Sequence, residues 1–175
     1  MTRHVKYTVI EKQKNTDRCF VCGMKNPASV RAEFYICTKG TVDDVVLLTV
    51  IHPNSLHQSY PNRMHGGVIA ALLDESVGRA AQIVNPDIWA VTIDLNIKFR
   101  KPTPLDQPLY IESRVTDFGT RAYTGEGKMF LKDGTVTATC TAKYFLVKYN
   151  DAFGAEKLTD ENYFLVPDKI KEFVF

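Results

Sequence analysis

His65, Gly66, Gly67 and Asp74 are the residues whose types and spacing could do chemistry. Two adjacent glycines at the start of a helix let the backbone approach a ligand closely. They also leave N–H groups free at the positive end of the helix dipole. Such an end suits an oxyanion, the species formed when a carbonyl carbon is attacked. Asp74 stands about two turns further on, roughly 10 Å along the axis. That reach suits a large substrate running past the helix end, with help from a neighbouring chain. At about 100° per residue, Leu72, Leu73, Val77, Ile83 and Val84 form one apolar arc. Ala71, Glu75, Gly78, Arg79 and Gln82 fall on the other side, and Asp74 lies at the boundary. Glu75 and Arg79 are four apart, an ordinary ion-pair spacing. Asp74 has no such partner, so it is either a partly solvated helix acid or a working carboxylate. His65 is expected to fix the loop rather than to react.

A second chemical feature is Cys19-Phe20-Val21-Cys22, with Cys37 and Cys140 elsewhere. A structural zinc ion needs four ligands, and one chain offers only this half-motif with scattered histidines. No metal and no organic cofactor are expected. The pair reads as a local turn or as reactive thiols, and Cys140 as a small core residue.

The elements that must position these residues can be read from pattern. A short strand is expected at Val5–Ile10, and further strands at Val30–Thr38 and Val42–Ile51. A His-, Pro-, Asn- and Ser-rich loop runs from His52 to Met64, and a helix from about Gly66 to Val84, before Asn85-Pro86. Strict alternation then follows. Trp89, Val91, Ile93, Leu95, Ile97 and Phe99 share one face and Ala90, Thr92, Asp94, Asn96, Lys98 and Arg100 the other. Strands continue through Leu109, Ile111 and Val115, through Thr120–Leu131, and after the Lys132-Asp133-Gly134 turn through Thr135–Val147. The tail beyond Lys148 reads as a short helix or an arm. Two strands, one long helix and four long strands fit the α+β class, an antiparallel sheet curled around a central helix. The expected division is an N-terminal segment at 1–28, a main domain at 29–148 and a C-terminal extension at 149–175.

Composition narrows the setting. The chain has 175 residues, a net charge of +2, and 45% hydrophobic and 24% charged residues. This is ordinary for one globular domain and gives no electrostatic footprint for nucleic acid. No apolar run approaches a membrane span, and no apolar h-region follows Met1-Thr2-Arg3-His4, so a cytoplasmic protein without signal peptide is expected.

The stretch from His57 to Glu75, HQSYPNRMHGGVIAALLDE, resembles the signature of the hotdog-fold thioesterases, in their phenylacetate-pathway (PaaI-like) branch. Thr92–Pro102 is similar to the family's next strand and its proline end. Cys19–Pro27 is similar to an N-terminal segment of some members. The resemblance implies the hotdog fold and hydrolysis of an acyl-CoA thioester. It implies Asp74 as general base or nucleophile, an oxyanion N–H from Gly66 with Gly67 as neighbouring candidate, and an orienting hydroxyl from Thr92. Some members carry an amide where this chain has Ser59; Gln58 and Asn62 lie nearby, and with His57 they are candidates for contacting the substrate. Lys98, Arg100, Lys101 and Arg121 are candidates for the CoA phosphates. The resemblance also implies a homodimer with shared sites, and such dimers often pair into tetramers. Alternatives on the same fold are a non-catalytic acyl-CoA sensor and a hydratase.

Overall fold

Alternation of apolar and polar residues over the second half of the chain produces four long strands, and the apolar arc before them produces the helix they enclose. The computed structural model describes residues 5–148 and 163–175. In chain order come β1 (Lys6–Lys12), β2 (Asn15–Thr16), β3 (Glu33–Lys39) and β4 (Val45–Ile51). A 3-10 turn at Ser55–His57 precedes α1 (Gly66–Ala80), and a second one at Ala81–Ile83 ends it. Then follow β5 (Ala90–Phe99), β6 (Leu109–Phe118), β7 (Ala122–Leu131), β8 (Val136–Leu146), β9 (Tyr163–Phe164) and β10 (Glu172–Val174).

Eight strands form one sheet in the order β10-β1-β3-β4-β6-β7-β8-β5, every neighbouring pair antiparallel. α1 packs on one face, burying Ile69, Leu72, Leu73, Val77 and Ala80. Gly125 and Gly127 of β7 make this approach close: a Cβ on Gly125 would stand 2.6 Å from Val77 Cγ1. Ser76 lies buried at the centre of the contact, where its hydroxyl donates to Leu72 O and accepts from Thr49 Oγ1 at 2.9 Å. This helix-on-antiparallel-sheet arrangement is the hotdog fold.

The structure departs from the sequence pattern in a few places. The helix tightens after Ala80, so Val84 rotates out of the apolar arc and is 55% exposed. Val30 and Ala32 are buried outside any strand, because Arg31 takes a φ of 54° and breaks the extended run. Residues 149–162 of the C-terminal extension lie outside the described residues. The remainder of that extension supplies β9, which pairs with β2, and β10, which pairs with β1. Phe173 and Phe175 thereby join Tyr7, Tyr35, Tyr110 and Phe130 in a second apolar cluster. None of the described helices is long and apolar enough to cross a membrane.

Candidate active site

The helix start is built by His65. Its Nδ1 accepts from the Gly67 N–H at 2.9 Å, and its carbonyl accepts from the N–H groups of Val68 and Ile69. Capping in this way satisfies Gly67 and Val68, two of the four N–H groups that a helix start leaves without intrahelical acceptors, and the Ile69 bond begins the helical ladder. Gly67 is therefore occupied. Gly66 remains the donor at the positive end of α1, and a Cβ at that position would stand 3.6 Å from Phe99 Cζ.

Asp74 is half-buried on the same helix, facing β5 and β8. Thr92 Oγ1 donates to Asp74 Oδ1 at 2.8 Å. Tyr144 Oη donates to the same oxygen at 3.1 Å and to the Asp74 carbonyl at 2.8 Å. Burial and the Asp74 charge push the Tyr144 hydroxyl well above its ordinary range, which keeps it a donor. Tyr123 stacks on Tyr144 with centroids 4.8 Å apart and donates to Gly78 O at 3.0 Å, holding the ring in place.

Thr92 reaches Asp74 because β5 is irregular. Unbroken alternation places Thr92 opposite Leu95, Ile97 and Phe99. A bulge between Thr92 and Asp94 inserts one residue, so Thr92 pairs with Tyr144 while Leu95 pairs with Ala142 and Ile97 with Cys140. Tyr144, Ala142 and Cys140 all face the helix side, and Thr92 joins them.

These groups open onto a groove of about 780 Å³ whose walls include Cys19, Glu75, Arg79, Trp89, Tyr123 and Tyr163. That size suits a small-molecule substrate. The candidate phosphate-binding cations do not all meet there. Lys98 and Arg100 line a different groove, of about 350 Å³, with Glu112, Arg114 and Lys128. The parity set by the bulge puts Lys98 beside Thr139, on the face away from α1. Lys101 follows the end of β5, and Arg121 precedes β7, where its carbonyl accepts from Leu146 N–H.

The loop residues serve the loop itself. His57 is buried, its Nδ1 accepting from Asn54 N–H at 3.1 Å and its carbonyl from His65 N–H; burial lowers its pKa. It is not placed in the Asp74 groove. Gln58 Oε1 accepts from Asn62 N–H at 3.0 Å, and the Asn62 side chain bonds Asp106 and Leu105 N–H. Cys19, Cys22 and Glu75 bring three donor atoms within 4.8 Å of one another, one fewer than a structural zinc site uses.

Tyr144 is the site residue that sequence reasoning missed. It lies 70 residues from Asp74, and nothing local marks it apart from its place in a β-branched strand.

Comparison with known proteins fits this geometry. The model of the thioesterase superfamily matches residues 62–138. One solved thioesterase superfamily protein is 24% identical at a TM-score of 0.62, over 73% of this chain and 62% of that one. The chain thus spans less than two thirds of that relative's length. A Bacillus halodurans protein solved with CoA is 29% identical at a TM-score of 0.53, over 57% of this chain and 70% of that one. A Streptococcus mutans protein bound to acetyl-CoA is 20% identical at a TM-score of 0.54, over 58% and 81%. No curated protein matches the chain in sequence. The matched segment, less than half of the chain, contains α1 and β5 with Gly66, Asp74 and Thr92, and over it the chain is similar to the thioesterase superfamily, on the hotdog fold that the solved structures share.

Proposed function

We propose that the groove hydrolyses the thioester of an acyl-CoA, with Asp74 as the catalytic carboxylate. The observation that carries this reading is the Asp74 carboxylate held by the Thr92 and Tyr144 hydroxyls at the mouth of a substrate-sized groove. A Bacillus halodurans relative solved with CoA supports the choice of ester. Asp74 takes a proton from water as the oxygen attacks the carbonyl carbon. Alternatively it attacks directly and forms a mixed anhydride, which water then opens. In both routes the carbon–sulfur bond breaks, and CoA leaves as a thiolate that takes up a proton.

The oxyanion needs a donor about 3 Å away. Gly66 precedes Asp74 by eight residues of continuous helix, about 12 Å at 1.5 Å per residue. One α1 cannot present both groups to one carbonyl, so a second copy of the chain supplies the Gly66 N–H. β5 supports such pairing. It is a ten-residue strand at the end of the sheet, with Val91 42%, Ile93 55% and Phe99 57% exposed. An edge of that length and character is an open template for another strand. Lys98 and Arg100 then serve as candidates for the CoA phosphates of the partner's site, and Lys101 and Arg121 for their own.

Thiol release from a panel running from acetyl- through long-chain to phenylacetyl- and benzoyl-CoA tests this. Cleavage of at least one member is the expected result. Tight binding of CoA esters with no cleavage of any would replace the hydrolase with an acyl-CoA sensor.

A further inference from the structure

The Cys19–Gly23 segment takes no part in the chemistry above, yet it packs against the helix that carries Asp74. Gly23 N–H donates to Cys19 O at 2.8 Å, and Val21 N–H to Cys19 Sγ at 3.3 Å. A Cβ on Gly23 would stand 2.3 Å from Cys19 O, so this tight turn requires glycine. The turn brings the sulfurs of Cys19 and Cys22, both free thiols, to within 4.8 Å of each other and of the Glu75 carboxylate.

A single guanidinium serves the cluster. Arg79 donates through Nε to Glu75 Oε1 at 2.7 Å and through Nη2 to Cys22 Sγ at 3.2 Å. Thr16 Oγ1 lies 3.4 Å from the same sulfur. The hydrogen bond from Cys19 and the Arg79 charge outweigh burial and Glu75 and push the Cys22 thiol down. The same hydrogen bond and burial push the Cys19 thiol well above its ordinary range, so the pair shares one proton that rests on Cys19. Among the described residues no such cation acts on Cys37 or Cys140, and burial pushes them up to about 12 and about 11. Access is divided between the pair. Cys19 lines the groove with Asp74, and Cys22 is buried behind it. With three donors, two of them already held by Arg79, the cluster suits a stabilised thiolate better than a metal ion.

We propose that Cys19 and Cys22 are a peroxide-reactive dithiol, a modification site on the wall of the Asp74 groove. The pair starts with Cys22 as the thiolate, its proton lost to solvent, and Cys19 as the thiol. Passage of the Cys19 proton to Cys22 along their hydrogen bond gives the minor form in which the sulfur lining the groove carries the charge. The Cys19 thiolate attacks one peroxide oxygen; the O–O bond breaks, hydroxide leaves, and Cys19 becomes a sulfenic acid. Cys22 gives its proton to that hydroxide and attacks the Cys19 sulfur; the S–O bond breaks, and the second hydroxide leaves and takes up the proton that Cys22 first released to solvent. Two thiols and one peroxide thus yield one disulfide and two waters. Arg79 then keeps Glu75, the Lys14 carbonyl and the Phe34 ring as partners.

The test is a titration of the reduced full-length protein with hydrogen peroxide, read by intact mass and by linked-peptide mapping. The expected product has lost about 2 Da, contains a Cys19–Cys22 link, and returns to the dithiol with a small reductant. Cys22→Ser removes both the proton acceptor and the resolving thiol, so it is expected to oxidise at Cys19 much more slowly and to stop at a gain of about 16 Da, without the link. Arg79→Gln is expected to slow disulfide formation about tenfold, and Arg79→Lys, which keeps the charge, to restore part of the rate. Oxidation of Cys37 or Cys140 before the pair, absence of the link, or a stoichiometric zinc ion that blocks the reaction would each overturn the proposal.

Discussion

The Thr92 hydroxyl donates to Asp74 Oδ1 across 2.8 Å, and this bond joins the edge strand β5 to the middle of α1. Both ends are needed: the carboxylate gains an oriented donor, and the hydroxyl fixes which oxygen remains free toward the groove. Tyr144 approaches the same oxygen from β8, so Asp74 Oδ2, which accepts from no hydroxyl among the described residues, is the atom that the proposed reaction makes basic or nucleophilic. Thr92→Val keeps the shape and removes the donor. It is expected to lower kcat about tenfold or more with little change in melting temperature, while Thr92→Ser retains most of the activity. Steady-state thiol release and a thermal melt check both halves of this expectation.

Tyr144→Phe removes one hydroxyl that serves two acceptors on Asp74. The ring still stacks on Tyr123, so the loss is confined to hydrogen bonding. Stability is expected to fall by about 1 kcal/mol and kcat by several-fold. Urea unfolding alongside kinetics separates the two effects. An unchanged kcat would reduce Tyr144 to a support for the helix.

How much of this was legible in the sequence depends on the range of the interaction. The helix start shows locally, because Gly66-Gly67 follows a capping residue and precedes an apolar arc. The four long strands show through alternation. Thr92 shows wrongly: the bulge at Ile93 carries no Gly or Pro, and the side chains on both sides of it continue to alternate. Only the pairing with β8 reveals the change of face. The joining of β1 and β10, and the seat of Phe173 and Phe175 on the far face, arise from contacts spanning almost the whole chain. Pattern reading over a short window does not reach them.

The proposed reaction, given the spacing of about 12 Å between Gly66 and Asp74, calls for a second copy of the chain, and β5 is the edge proposed to receive it. Lysines at Val91 and Ile93 place two charges on the open edge, a device that blocks strand pairing. The double variant is expected to sediment as a monomer and to lose hydrolysis together with the dimer. A monomer that still hydrolyses at the wild-type rate would show that one chain completes its own site.

Glu112 links stability to pH. Burial works against its charge, but Tyr7, Lys39 and Lys128 outweigh burial and hold its carboxyl below the usual range. A folded-state pKa below the unfolded one means that Glu112 stabilises the fold above about pH 4.3, the ordinary glutamate value. That stability is lost as pH falls through the folded value. The melting temperature is therefore expected to drop steeply below about pH 4, and Glu112→Gln to be less stable at neutral pH with a shallower acid limb. Thermal melts across pH 3–7, as a rough working window, measure both.

The Asp74→Asn variant tests the central claim most directly. Amide replaces carboxylate at nearly the same volume, and Thr92 and Tyr144 can still donate to the remaining oxygen, so the fold and the groove are kept. Assayed on the best acyl-CoA of the panel, it is expected to lose about 10²-fold or more in kcat, with a melting temperature close to wild type. Hydrolysis at the wild-type rate by a correctly folded Asp74→Asn protein would contradict the account.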